Sequence, residues 1–485
     1  MATTEGRSKC LDALIVALHQ ASDGQWKRWY ISALELQLVS LELCGACRSA
    51  QLLHVRVDEH TPPSLWSPRI SHTTLSQRSA EVCISNRVPT VQAFGCTWEL
   101  PMDRLPQRAQ RRPYGRSCAA SVRSVVWRQS VKRLIFHSDM PVNTVSWPAS
   151  LQQLCLIGFF NQGITDVVWP AGLLELSFGP DFNQPIADVV WPASLWKLRF
   201  GRKFNQPIAN AVWPAWLKEL SFGGNLNQPI VGATWPAFLK QLSFGAPFRS
   251  HFNQPIVGAT WPAPLQELSL GMRFNQPIVG ATWPASLKQL SFGCSFNQPI
   301  ADVGWPASLR QLRFGNKFNQ PIVGATWPAS LKQLSLGYLF RGNFNQPVAD
   351  VVWPVGLQQL SFGKTFNQTI VGATWPASLQ QLSLGCNFNQ PIADVVWPTS
   401  LQKLWFRCAF NQPIVGVVWP ASLRQLSFGD KFNQPIVGAT WPASLLQLSL
   451  GGSFNQSIVG ATWSVSLQQL SFGHKFNQPI VGTTW

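Results

Sequence analysis

From about Val125 to Trp485 the hydrophobic positions return at one fixed spacing. Tryptophan marks it. Between Trp127 and Trp485 the step from one to the next is 22 residues almost throughout, 20 once (Trp127 to Trp147) and 26 twice. Numbered from its first leucine, the copy from Leu287 to Ser308 reads L-K-Q-L-S-F-G-C-S-F-N-Q-P-I-A-D-V-G-W-P-A-S. The general pattern is L-x-x-L-x-[FL]-G-x-x-F-N-Q-P-I-x-x-x-x-W-P-A-S. Both longer steps add four residues before F-N-Q, in Ala246-Pro247-Phe248-Arg249-Ser250-His251 and in Tyr338-Leu339-Phe340-Arg341-Gly342-Asn343. Insertions at one fixed point of a repeat imply a loop on one face of a regular stack.

The pattern excludes helix. Prolines at positions 13 and 20 (Pro299 and Pro306) break one, and Gly293 at position 7 disfavours one. Alternation at positions 4 and 6 predicts a short strand, with positions 3 and 5 facing out. The unit is then a coil made of a strand, a turn at glycine and an extended return through the prolines. A lone coil cannot bury its apolar residues, whereas stacked coils can, with parallel strands about 4.8 Å apart. Positions 1, 4, 6, 10, 14 and 19 (Leu287, Leu290, Phe292, Phe296, Ile300 and Trp305) are the expected core. The expected fold is a β-solenoid, a right-handed coil of about 15–16 repeats with one parallel strand each, about 70 Å long.

Position 11 is asparagine in every copy: Asn161, Asn183, Asn205, Asn227, Asn253, Asn275, Asn297, Asn319, Asn345, Asn367, Asn389, Asn411, Asn433, Asn455 and Asn477. An in-register row of this length reads as a buried structural ladder, each amide satisfying turn backbone groups and bonding to the next coil. A row of ligand contacts is the functional alternative. The tryptophan row reads as core before it reads as a binding stripe. Asn367 and Asn455 match the N-x-[ST] acceptor pattern, but a ladder position is expected to be inaccessible to glycosylation.

The motif resembles the FNIP repeat, a 22-residue relative of the leucine-rich repeat. The resemblance rests on W-P, then S-L-x-x-L-x-F-G, then F-N-Q-x-I, and covers about 75% of the chain. F-N-Q-x-I…W is also similar to bacterial BspA-like leucine-rich repeats. Trp-Pro stands where FNIP repeats usually have Leu-Pro, a departure in the core. The resemblance implies a leucine-rich-repeat-like solenoid and a binding scaffold; fold alone does not fix function.

Composition adds a direction. Charged residues are only 12%, yet formal net charge is +17. A basic balance suits anionic partners, or simply keeps a long array soluble. From Leu151 onward there are 20 Lys/Arg and 10 Asp/Glu. Ten basic residues fall at strand positions 2, 3 or 5: Lys197, Arg199, Lys218, Lys240, Lys288, Arg310, Arg313, Lys332, Lys403 and Arg424. The other ten fall at positions 7 to 9 or in the insertions: Arg202, Lys203, Arg249, Arg273, Lys317, Arg341, Lys364, Arg407, Lys431 and Lys475. Five acids share that surface, and five more (Asp166, Asp188, Asp302, Asp350 and Asp394) sit at position 16 on the opposite side. The array therefore reads as electrically two-sided. Lys288, Arg310 and Lys332 occupy position 2 of three consecutive coils, where like charges repel. An anionic partner relieves that repulsion, and so does splaying into water, which also discourages edge aggregation. Trp196 and Trp405 replace polar residues at positions 2 and 5, beside Lys197, Arg199, Arg202 and Lys203 in one case and Lys403 and Arg407 in the other. Tryptophan beside arginine is typical of binding hot spots; the alternative is drift in a duplicating array.

Catalytic chemistry is not in evidence in the array. His137, His251 and His474 lie far apart, and no nucleophile–base pair, paired carboxylates or phosphate-cradling loop stands out. No cofactor is expected. Cys44 and Cys47 form one C-x-x-C without a second pair, weak as a zinc signature. Cysteines scattered without framework spacing argue against a disulfide-stapled secreted protein, so an intracellular, cytoplasmic location is expected. No apolar run reaches the 18 residues of a membrane span. Ala13 to Leu18 follows Arg7 and Lys9 as a leader would, but Asp12 interrupts it and it reads as a helix start.

Residues 1–120 stand apart as an unassigned N-terminal region, a small α/β unit or a partly disordered stretch, with the basic Arg104 to Arg116 as a linker. The array spans 121–485, and 121–150 is a degenerate repeat or cap. The chain stops at Trp485 without a polar cap, which suggests either a truncated gene model or end-to-end association. The reading is a non-catalytic scaffold that binds protein through its strand face. An acidic polysaccharide or a nucleic acid is the alternative partner, and a passive rod the third reading.

Overall fold

The computed structural model describes residues 131–480 apart from 138, 246–249 and 339, together with the backbone of two short strands, β1 (Val55–Val57) and β2 (Thr73–Leu75), which pair in parallel. Expectations placed on the C-x-x-C, the apolar start, Arg104 to Arg116, Arg249 and the last five residues lie outside the described residues.

The described array contains no helix. Sixteen strands, from β3 (Arg133–His137) to β18 (Gln469–Ser471), form one parallel sheet in chain order. Register follows the repeat: Leu290 pairs with Leu268 on one side and Leu312 on the other. Residues 131–150, the divergent copy, form a full coil whose strand pairs with β4 (Gln153–Ile157).

Besides the turn after position 7, where the N–H of Phe296 donates to Gly293 O at 3.3 Å, each coil turns twice by β-turns. Near position 20 the N–H of Leu287 donates to Pro284 O at 3.0 Å. After position 14 the N–H of Ala281 donates to Ile278 O at 3.1 Å. In that second turn position 16 is the i+2 residue. In eight copies it is glycine with φ between +79° and +85°, the left-handed conformation of a type II turn. The other described copies carry Asp or Asn there, side chains that turns also accept, except the divergent first copy, which carries Thr144.

The core is continuous. Leu287, Leu290, Phe292, Phe296 and Ile300 are all buried, each contributing roughly 1.5–3 kcal/mol. Phe292 and Phe296 stack within a coil at 4.2 Å, and Phe296 stacks on Phe318 of the next coil at 6.1 Å. Trp305 stacks on its neighbours Trp283 and Trp327, both at 6.3 Å, and meets Phe292 edge-on. The tryptophans are buried in some coils and half-buried in others. Position 17 also belongs to the core: Val303 and Ala259 are buried. The six-position pattern omitted it because Val and Ala alternate there and blur the periodicity.

The coils approach so closely at position 7 that a Cβ on Gly293 would lie 1.5 Å from Gly271 O. That contact selects glycine at the slot in every coil from Gly179 to Gly473 but one, which holds Arg407. In the last described coil Ile480 is 55% exposed, whereas its equivalent Ile458 is buried.

An asparagine ladder runs the length of the stack. Asn297 Oδ1 accepts the N–H of Asn319 at 2.8 Å, and the same bond links every successive pair from Asn161 to Asn477. Position 12 reinforces it: Gln298 Nε2 donates to Asn275 O at 3.0 Å. The ladder begins on Asp139, whose carboxylate accepts the N–H of Asn161 at 3.1 Å. These amides are half-buried or exposed, not buried, because they sit where the coil turns at the surface. Asn367 is half-buried and Asn455 exposed, each with Oδ1 engaged by the next coil.

Candidate interaction face

The outward strand positions form a polar surface of Gln and Ser, interrupted where individual copies depart. Backbone geometry aligns the departures. The N–H groups of Arg310 and Gln311 both donate to Lys288 O, at 2.8 and 2.9 Å. Position-2 side chains of consecutive coils therefore stand one strand spacing apart. Lys288 and Arg310 are exposed and Lys332 half-buried. Lys288 Nζ donates to Gln266 Oε1 at 3.1 Å. No carboxylate among the described residues pairs with these three. Further along the stack the charge is compensated: Lys197 meets Glu219 at 2.7 Å and Lys203 meets Asp181 at 2.5 Å. Arg199, Arg202, Lys218, Lys240, Arg313, Lys317 and Arg424 are exposed. The basic face is thus uneven, partly paired around Lys197 and unpaired from Lys288 to Lys332.

Trp196 and Trp405 are both half-buried and far apart along the stack. Lys197 Nζ lies 5.3 Å from the Trp196 ring, and the Arg407 guanidinium 5.9 Å from that of Trp405.

A second aromatic pair escaped the sequence reading. At position 22 most copies carry serine, whose hydroxyl donates to a leucine carbonyl of the preceding coil, as Ser286 does to Leu265 O at 2.7 Å. Trp216 and Phe238 replace that serine on consecutive coils. They are 54% and 45% exposed and stack on each other at 4.6 Å. The register that exposed Trp196 held the same signal at position 22.

A groove of about 810 Å³ crosses the strand face from β11 (Gln311–Phe314) to β15 (Lys403–Trp405), beside the insertion that follows β12 (Gln333–Leu336). Burial pushes the Tyr338 hydroxyl above its ordinary range, and the nearby Arg313 guanidinium opposes the shift. Beside the far end, Cys386 and Cys408 of adjacent coils bring their Sγ atoms to 2.9 Å, and burial raises the Cys408 thiol. Among the described residues, no cluster of three or more His, Cys, Asp or Glu could hold a metal ion, and no helix is long and apolar enough to cross a membrane.

The FNIP repeat family model matches residues 160–203, 204–246, 252–295, 296–339, 344–387, 366–408 and 410–453, more than half of the chain. The chain belongs to the FNIP repeat family. Its matches break at both insertions, which are additions to the FNIP unit. The FNIP array is similar to the circular leucine-rich-repeat protein CroV588, at 37% identity with a TM-score of 0.61 over 73% of this chain. It spans about 55% of that protein's length. More distant in sequence are YopM from Yersinia enterocolitica (15% identity, 72% of this chain and 87% of that one, TM-score 0.31) and an internalin from Listeria monocytogenes (12%, 65% and 82%, TM-score 0.31). No curated protein sequence matches the chain.

Proposed function

We propose that this FNIP array is a non-catalytic scaffold that binds a partner protein through its strand face and the adjacent loops, inside the cell. The observation that carries the reading is where the copies differ. Interior positions repeat with little change, because each is locked between identical neighbours. Positions 15 to 18 alternate among a few small residues, Asp and Asn, while the arginine, lysine and aromatic departures gather on the outward strand and loop positions. Exposed aromatics beside arginine and lysine, such as Trp216 and Phe238 near Lys218 and Lys240, have the composition of protein-binding hot spots. Residues 1–120 are, in this reading, a separate region joined to the array.

The test is comparative affinity capture from native lysate. The full chain is set against a variant whose face is returned to the repeat's own residues: Trp196→Gln, Trp216→Ser, Phe238→Ser and Trp405→Ser. A protein retained by the first and lost by the second supports the scaffold. Identical retention by both overturns the face assignment, and retention of nothing by either favours a passive rod.

One observation favours an anionic polymer instead. Lys288, Arg310 and Lys332 form a stacked basic row that no carboxylate among the described residues pairs with. Heparin retention falling steeply with salt, and equal for unrelated polyanions, identifies that mode.

A further inference from the structure

The repeat tells what each slot of a coil should contain, so a residue that violates its slot stands out. Position 7 is glycine in every copy from Gly179 to Gly473 except one, Arg407. The slot is sterically closed on both sides of it: a Cβ on Gly385 would lie 2.1 Å from Gly363 O, and one on Gly429 would lie 1.6 Å from Arg407 O. Position 5 is serine from Ser177 onward except at Arg199, Arg313 and Trp405. One insertion, Tyr338 to Asn343, described apart from Leu339, interrupts the array. Arg407, Trp405, Arg313 and that insertion line the same 810 Å³ groove.

Hydrogen bonds and close packing hold the groove at both ends. The insertion is pinned at its base, where Gly342 N–H donates to Tyr338 O at 2.8 Å and Asn343 N–H donates to Asn316 O at 2.6 Å. A Cβ on Gly342 would lie 2.7 Å from Gly363 Cα, so the loop sits directly on the next coil. Phe340, 68% exposed, and Arg341 stand out from it. At the other end Arg407 Nε donates to the hydroxyl of buried Ser383 at 3.2 Å while its guanidinium lies against Trp405. The terminal nitrogens of that fork are left for a ligand. No Asp or Glu lines the groove.

From these features we infer that the groove binds an extended acidic peptide segment of a partner protein, with carboxylates at both ends and an apolar residue between them. Charge complementarity selects acid, since guanidinium forks match carboxylates. Length selects a segment rather than a single anion. Arg313 on β11 and Arg407 just after β15 are four strand steps apart, about 19 Å, beyond the reach of one carboxylate or phosphate. An extended chain covers that span in about six residues. Phe340, in the insertion between β12 and the strand after it, supplies exposed apolar surface between the charged ends, and Trp405 adds apolar surface at the Arg407 end. The inference rests on the scaffold reading and narrows it to one site and one ligand class.

The test uses a fluorescein-labelled peptide, Glu-Asp-Leu-Val-Asp-Glu, titrated with the full chain and followed by fluorescence anisotropy. The variants are Arg313→Ser, Trp405→Ser and Arg407→Gly, each restoring the residue that neighbouring coils already hold, so the fold tolerates them. Arg273→Ser removes equal charge outside the groove and likewise installs a residue found at that position in the next coil. Each arginine reversal is expected to weaken binding on the order of tenfold, and the triple reversal to abolish it, with Arg273→Ser unchanged. Equal weakening by Arg273→Ser overturns the groove and leaves a diffuse basic face, so the scaffold reading survives. A wild-type chain that ignores the acidic peptide but binds labelled heparin overturns the ligand class. A wild-type chain that binds neither overturns the groove, while the lysate comparison still judges the scaffold.

Discussion

Removing one rung of the asparagine ladder should loosen two coils and no more. In Asn297→Ala the acceptor for Asn319 N–H, at 2.8 Å, is lost, whereas the backbone bond from Asn297 N–H to Asn275 Oδ1 remains possible. A typical hydrogen bond contributes about 0.5–1.5 kcal/mol net, and a donor left unsatisfied costs about 1–3 kcal/mol when buried. Asn297 and Asn319 are half-buried, so water replaces part of the bond and about 1–2 kcal/mol is the expected loss. A stacked array transmits such a loss mainly to nearest neighbours. Native-state hydrogen exchange at the Asn319 amide should therefore accelerate roughly 5- to 30-fold, with amides several coils away unchanged. Asn297→Asp is the control, because the ladder already starts on a carboxylate at Asp139; it should keep protection near wild type. Unchanged exchange at Asn319 in the alanine variant would refute the ladder as a stabilising element. A global change in exchange would refute the nearest-neighbour reasoning.

Three further expectations follow from the same geometry. Gly293→Ala, which places a Cβ 1.5 Å from Gly271 O, should lower the thermal midpoint sharply, whereas Gly304→Ala, with nothing within 4 Å of its Cβ, should leave it nearly unchanged; calorimetry separates them. Oxidised glutathione should link Cys386 to Cys408, whose sulfurs already lie 2.9 Å apart, by thiol–disulfide exchange that releases reduced glutathione; a peptide mass lighter by two hydrogens reports it, and its absence counts against the pairing. Burial raises the Cys155 and Cys408 thiols, so at about pH 8 less of each is thiolate, and both should alkylate more slowly than a free peptide cysteine.

Much of this fold was legible because the repeat tests itself. A leucine buried at position 4 in one coil is buried in every described coil but the last, where Leu470 is half-buried, and Pro, Gly and Trp at fixed offsets leave one path for the chain. Position 17 was less legible, since Val303 and Ala259 share burial but not size. The exposure of the asparagine row was not legible at all. Invariance speaks of hydrogen-bond demand, and the turn supplying that demand lies at the surface. The candidate face was legible where a departure changed polarity, as at Trp196 and Trp405. It was missed where the slot's own requirement had not been recognised. Trp216 and Phe238 look unremarkable until serine at position 22 is seen bonding the preceding coil, and Arg407 looks like one more loop cation until position 7 is seen to exclude side chains.

The charge asymmetry changes meaning once backbone geometry is included. The acidic row, Asp166, Asp188, Asp302, Asp350 and Asp394, occupies the i+2 position of a turn that eight other copies fill with left-handed glycine. Turn chemistry accounts for aspartate there, so that row needs no charged partner. No such requirement applies to the basic side. Nothing in the strand demands arginine or lysine at position 2, since Gln380, Gln402 and Gln468 occupy the same slot. Three neighbouring cations repel, and an arginine in a glycine slot opposes close coil packing. Residues that work against the stack gather on one face, and Arg407, with Arg313 and Trp405, lines one groove there; these are the ones to attribute to binding.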